Sequence, residues 1–156
     1  MKEVKGNLIS LAKEGQFDVI IHGANCFHTM GAGIAKSIKK EFPKAFEADK
    51  ATNFGDRNKL GTISLATFQI NEEADFLTVI NAYTQFGIRQ HGYSSPIDYT
   101  AVDNCFYEIQ KQFGYKHLKF GIPKIGAGLA GGDWEVISRI IENYLGQEDL
   151  TLVVLE

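Results

Sequence analysis

Residues 18–36, DVIIHGANCFHTMGAGIAK, constrain the fold more than any other stretch. Val19, Ile20 and Ile21 form a continuous β-branched run, the pattern of a strand buried on both faces. His22, Gly23, Ala24 and Asn25 fall where that strand runs out. Gly31, Ala32 and Gly33 then leave the backbone almost bare, and Ile34, Ile38 and Phe42 recur at intervals of four. This spacing predicts a helix starting near Gly33 with its apolar stripe toward the sheet. A strand, a glycine turn and a helix N-terminus make an anion site. First-turn N–H groups lack helical partners, sit at the positive end of the helix dipole, and can be approached closely where side chains are missing. Residues 118–129, LKFGIPKIGAGL, have the same arrangement ahead of a helix near Trp134. Two such turns in one small domain point to a diphosphate.

The chain has 156 residues, 44% of them hydrophobic, the length of one domain with one substantial core, taken here as residues 1–156. A formal charge of −3 and a pI near 5.8 argue against bulk binding to a nucleic-acid backbone, which leaves a concentrated basic face. Lys36, Lys39 and Lys40 read as the solvated face of a helix. Cys26 and Cys105 stand in no metal-ligand spacing, so no metal is expected; no cofactor is expected either. The start MKEVKGNLIS has no apolar leader, and no apolar run approaches the roughly 18 residues of a membrane span. The expectation is a reduced cytoplasmic protein with no membrane partner.

A short strand is expected over Lys2–Gly6 and a polar-capped turn or short helix over Asn7–Glu14, closed by Gly15. Pro43–Thr52 reads as a helical piece, Asn53–Lys59 as an exposed loop, and Leu60–Phe68 and Phe76–Thr84 as strands. Phe86–Pro96 is a loop long enough to cover a ligand. Tyr99, Val102, Phe106, Ile109 and Phe113 step by three and four, the strongest helix signal in the chain. His117–Ile122 returns as a strand, Trp134–Leu145 as a helix and Leu150–Leu155 as a final strand. Such alternation indicates an α/β sheet covered on both faces, with ligands at the strand ends where loops cluster.

Gly126, Gly128 and Gly131 satisfy the dinucleotide fingerprint G-x-G-x-x-G, with Glu156 closing the next strand, but a Rossmann domain needs further βαβ units after this turn. The earlier glycines miss the P-loop, because Ala35 stands where glycine should precede Lys36 and Ser37. In contrast, KGNL near the start, DVIIHGAN running into GAGIA, VINAYTQ, and IPKIGAGLAGGDW together, in this order and spacing, resemble the macro domain family over essentially the whole chain. The resemblance implies a three-layer α/β/α sandwich with a mixed sheet that binds ADP-ribose or a derivative. Within the family, His22, Asn25 and Cys26 are similar to the H-x-x-N-C strand end of the ADP-ribose 1″-phosphate phosphatase branch. That likeness implies removal of the terminal phosphate of ADP-ribose 1″-phosphate. The alternatives are a reader that does not turn its ligand over, and a hydrolase that removes ADP-ribose from a protein or nucleic acid.

The same resemblance assigns ligand contacts. Asn7, beside Leu8, stands where many members place an aspartate against the adenine amino group; its side-chain oxygen still accepts, without charge. Asn25 aligns with the asparagine at the distal ribose. Gly31, Ala32, Gly33 and Ile34, and Gly126, Ala127, Gly128 and Leu129, align with the two loops that wrap the diphosphate. The lysine used by one hydrolase branch has no counterpart at Thr84, Gln85 and Phe86, and that branch's loop acid appears as Ala130. No aromatic residue follows the last strand up to Glu156, so adenine would have to stack on another aromatic. His22 is the candidate nucleophile or general acid and base, against the plainer reading of a strand-end hydrogen bond. Asp133 is either its catalytic assistant or only the N-cap of the helix at Trp134. Cys26 reads as a small buried residue, His28 and His91 as loop residues facing ligand or water, and Trp134, Tyr99 and Phe106 as core.

Overall fold

Strand β2, Val19–Ala24, is the buried middle of a six-stranded sheet of order β1-β6-β5-β2-β4-β3. The computed structural model describes residues 1–73, 75–88, 96–128 and 130–155. The strands are β1 Lys2–Lys5, β2, β3 Ile63–Gln69, β4 Phe76–Tyr83, β5 Lys119–Ile122 and β6 Asp149–Val154. All neighbours pair in parallel except β3, which runs antiparallel to β4 at the edge. The sheet is therefore mixed, as the α/β/α expectation requires.

The helices are α1 Leu8–Lys13, α2 Gly33–Glu41, α3 Pro43–Lys50, α4 Tyr99–Phe113 and α5 Trp134–Leu145. One face of the sheet buries Val19, Ile21, Ile80 and Phe120 against Val102, Phe106 and Ile109 of α4 and Ile137 and Ile141 of α5. The other buries Ile20, Leu77 and Val79 against α1, Ile38 of α2 and Ala45 of α3. Alternation along β2 thus sends odd residues to α4 and α5 and even residues, His22 among them, to α2 and α3. The crossover after β2 leaves on one face and α5, after β5, packs on the other, so the gap between the carboxyl ends of β2 and β5 is a topological switch point, where open α/β sheets bind ligands.

The structure departs from the sequence reading at Lys59 and Tyr99. Lys59, expected in an exposed loop, closes the 3-10 turn Arg57–Lys59, with its side chain buried and Nζ donating to the Cys26 carbonyl at 3.2 Å. Tyr99, expected in the core, is exposed, and its hydroxyl accepts from the Asp133 N–H at 3.0 Å. Trp134, which opens α5, is half-buried and packs against the core, as expected. Of the expected covering loop, residues 89–95, including His91, lie outside the described residues. Among the described residues, no helix is long and apolar enough to cross a membrane and no cluster of three His, Cys, Asp or Glu side chains could hold a metal.

Candidate functional site

Two chambers open at the carboxyl ends of the strands. The inner one, about 230 Å³, lies between the turn after β2 and the turn after β5 and is lined by Asn25, Ala32, Gly126 and Gly128, among others. The outer one, about 580 Å³, runs toward β6 and is lined by Asn7, Leu8, Ser37 and Val153–Leu155. Gly33, Ile34, Pro123 and Lys124 line both, so the chambers form one crevice across the switch point. Lys124 is the one cation and Asp49 the one anion among the described residues that line it.

The turn after β2 is built by the Asn25 side chain. Its Oδ1 accepts from the Phe27 N–H at 2.8 Å and its Nδ2 donates to Thr29 Oγ1 at 2.6 Å, which leaves one amide hydrogen and one lone pair for the crevice. Ala32, the N-cap of α2, offers no side-chain cap, so the first-turn N–H groups of this helix stay open. Gly33 adopts φ 57°, a left-handed conformation that a side chain resists, and an added Cβ there would meet nothing within 4 Å. Gly126 is glycine for packing as well: at φ 73° its added Cβ would stand 2.6 Å from Ile97 Cδ1.

The second turn differs from its sequence reading. The N-terminus of α5 is already capped, because Asp133 Oδ1 accepts from the Glu135 N–H at 2.9 Å. A carboxylate there takes a free donor and repels an anion, so the glycine turn itself, rather than that helix end, faces the crevice. Of the residues expected to bind, Asn7, Leu8, Asn25, Ala32, Gly33, Ile34, Gly126 and Gly128 line a chamber. Gly31 and Ala127 line neither, and Leu129 lies outside the described residues. Asn7 Oδ1 caps α1 through the Ser10 N–H at 3.0 Å, so only its second lone pair is available.

His22 and Asp133, the expected catalytic pair, both stand off the crevice. The His22 ring is fully buried under α3 and lines neither chamber; it cannot touch a ligand there without a rearrangement. Its Nε2 lies 2.6 Å from Asn81 Oδ1. Asn81 Nδ2 donates to the Ala45 carbonyl at 2.9 Å and to Ser64 Oγ at 3.1 Å, which fixes the amide so that Nε2 must be the donor. Ser64 Oγ lies 2.8 Å from Tyr83 Oη, and Tyr83 Oη donates to Asp49 Oδ1 at 2.7 Å. Burial lowers the His22 pKa below its usual value despite the raising effects of the Asn81 bond, the Asp49 charge and the Gly23 backbone. Burial also raises the Tyr83 pKa, so the phenol stays protonated and can donate.

Cys26 is fully buried with its thiol raised by burial, and burial lifts Cys105 to about 12, which disfavours the reactive thiolate in both. Sequence reasoning missed Asp49 and Lys124. Lys124 was legible as the one cation in KIGAGL beside the glycine turn. Asp49 carried no such signal, since α3 reads as an ordinary surface helix.

No protein-family model matches the chain. It is 38% identical over 157 residues to an uncharacterised 17.5 kDa protein in the tk-vs intergenic region of Enterobacteria phage T4, covering 98% of this chain and 95% of that one. It is 27% identical over 176 residues to an ADP-ribose 1″-phosphate phosphatase of Saccharomyces cerevisiae, covering 97% of each. The macrodomain of Mycobacterium tuberculosis DarG superposes with a TM-score of 0.73 at 18% identity over 97% of this chain and 95% of that one. The chain has the macrodomain fold. Thermosipho africanus DarTG, solved in complex with ADP-ribose, shares the macrodomain's fold with a TM-score of 0.74 at 14% identity, covering all of this chain and 42% of that one.

Proposed function

We propose that this macrodomain binds ADP-ribose or a close derivative and hydrolyses the terminal phosphate of ADP-ribose 1″-phosphate. The observation that carries the binding is the junction of the two chambers. There the uncapped N-terminus of α2 and Lys124 present positive charge between the outer chamber and the inner one. Adenosine fits the outer chamber beside Asn7 and Leu8, the diphosphate fits the junction, and the distal ribose fits the inner chamber beside Asn25. The yeast relative supports phosphate removal, with open N–H groups available to the charge that develops on phosphate oxygens. His22 then acts through the hydrogen-bond chain rather than on the substrate. One observation favours a second reading, a reader without turnover: neither His22 nor Asp133 lines the crevice.

The test pairs binding with turnover. Calorimetry should give an affinity for ADP-ribose at least about tenfold above that for AMP, because only the longer ligand reaches the junction and the inner chamber. Incubation with ADP-ribose 1″-phosphate should release inorganic phosphate, and incubation with an ADP-ribosylated protein should not release ADP-ribose. Binding without release of either product favours the reader, and equal affinity for ADP-ribose and AMP removes the ADP-ribose reading.

A further inference from the structure

The floor of the inner chamber holds a carboxylate with an unusual environment. Asp49 is 1% exposed yet lines the inner chamber, and it lines the outer one nowhere. Among the described residues no cation pairs with it within 4 Å, although the buried Lys59 ammonium feels its charge from farther off, and its one side-chain hydrogen-bond donor is the Tyr83 hydroxyl. An ionised carboxylate accepts at about four positions, and a buried charge left with one donor is costly. That environment is completed by an occupant that brings hydroxyl donors.

The donor is held in place from behind. Tyr83 Oη donates to Asp49 because Ser64 hydrogen-bonds it, Ser64 is held by Asn81, and Asn81 is held by the Ala45 carbonyl and by His22 Nε2. Every group in this row is on the α3 face of β2, β4 and β3, where the register sets His22 beside Asn81 and Asn81 beside Ser64. A connected row of this kind gives the carboxylate one orientation.

From this arrangement we infer that Asp49 is the specificity-determining acceptor of the crevice, taking hydrogen bonds from the hydroxyl groups of the sugar beyond the diphosphate, while Tyr83, Ser64, Asn81 and His22 are positioning residues that orient it. The inference rests on the ADP-ribose reading and adds to it the part of the ligand that is selected. Lys124 and the α2 N-terminus serve any nucleoside diphosphate; Asp49 distinguishes one that carries a further sugar.

Calorimetry with ADP and with ADP-ribose reads the difference directly. Asp49→Asn keeps the size and an acceptor for Tyr83 and removes the charge. It should weaken ADP-ribose at least about tenfold, what a hydrogen bond to a charged acceptor is worth, and leave ADP within about threefold. Tyr83→Phe should weaken ADP-ribose by a smaller factor, again with ADP unchanged, and should add nothing to Asp49→Asn in the double variant. A purely structural strap would move both ligands together, so equal losses, or no loss, for Asp49→Asn overturn the inference. Should Asp49→Asn not fold, Tyr83→Phe reads the same difference, and an unchanged ratio there overturns it. A wild-type protein that binds neither ligand fails at an earlier step and removes the ADP-ribose reading along with this one.

Discussion

His22 connects the strand pattern to the chemistry in an unexpected way. The run of β-branched residues correctly marks β2 and its end, but the use of the histidine depends on what sits across β4 and above in α3, which no local pattern encodes. Counting by two along the strand does place His22 with Ile20 and Ala24, on the face opposite Ile21; the Asn81 amide and the buried Asp49 come from elsewhere in the chain. Asp133 illustrates the converse, since a carboxylate before a helix is legible as a cap and it caps. The pH dependence of folding follows from the lowered His22 pKa. The folded state resists protonation, whereas the unfolded chain takes the proton near pH 6.5, so protons favour unfolding. The contribution of neutral His22 is complete above about pH 6.5 and is lost as pH falls below that value toward the folded pKa. Urea melts at a series of pH values from 7.5 downward should show wild type losing stability below pH 6.5 more steeply than His22→Gln, which keeps an N–H for Asn81 and does not titrate. Parallel curves for the two proteins would mean that the ring is not held neutral.

At the scale of elements, the helices differ in how their first turns are capped: α2 and α3 have no side-chain cap, and the α2 N-terminus is the one of these two that lines the crevice. Asn7, Asp98 and Asp133 each accept from a backbone N–H at the start of α1, α4 and α5, while Ala32 leaves α2 open. The glycine turns and helix spacing were legible because they are local; that α5 is closed and α2 open was partly legible too, since an aspartate precedes one helix and an alanine the other. Ala32 holds the extended conformation of an N-cap, φ −144° and ψ 157°, so Ala32→Asp should cap α2 without strain. Stability should rise by about 0.5–2 kcal/mol in denaturant melts. ADP-ribose affinity should fall at least about tenfold, because the new carboxylate takes a first-turn donor and repels the diphosphate. A variant that is more stable and binds as before would show that the α2 N-terminus is not where the phosphates sit.

The whole molecule decides between the two ligands that the glycine pattern allows. A dinucleotide oxidoreductase would seat its pyrophosphate at the helix after β5, using Gly126, Gly128 and Gly131. Here that helix end carries Asp133, and the open one belongs to α2 across the switch point, so the same glycines serve as one wall of a crevice whose other wall comes from β2. Sequence spacing suggested both walls but not the floor between them, which α3 supplies through Asp49 from a different stretch of chain. In the proposed reading the inner chamber, about 230 Å³, holds everything beyond the diphosphate. ADP-ribose asks it to hold one sugar; NAD adds a nicotinamide ring to that sugar. A ligand bound only to the folded state stabilises by RT ln(1 + [L]/Kd), about 2.7 kcal/mol at a hundredfold excess over Kd, so melting temperatures rank the two at equal concentration. ADP-ribose should raise the melting temperature clearly and NAD by less. A larger rise with NAD would require a ring site beyond that sugar, and would return the second glycine turn to the role its fingerprint first suggested.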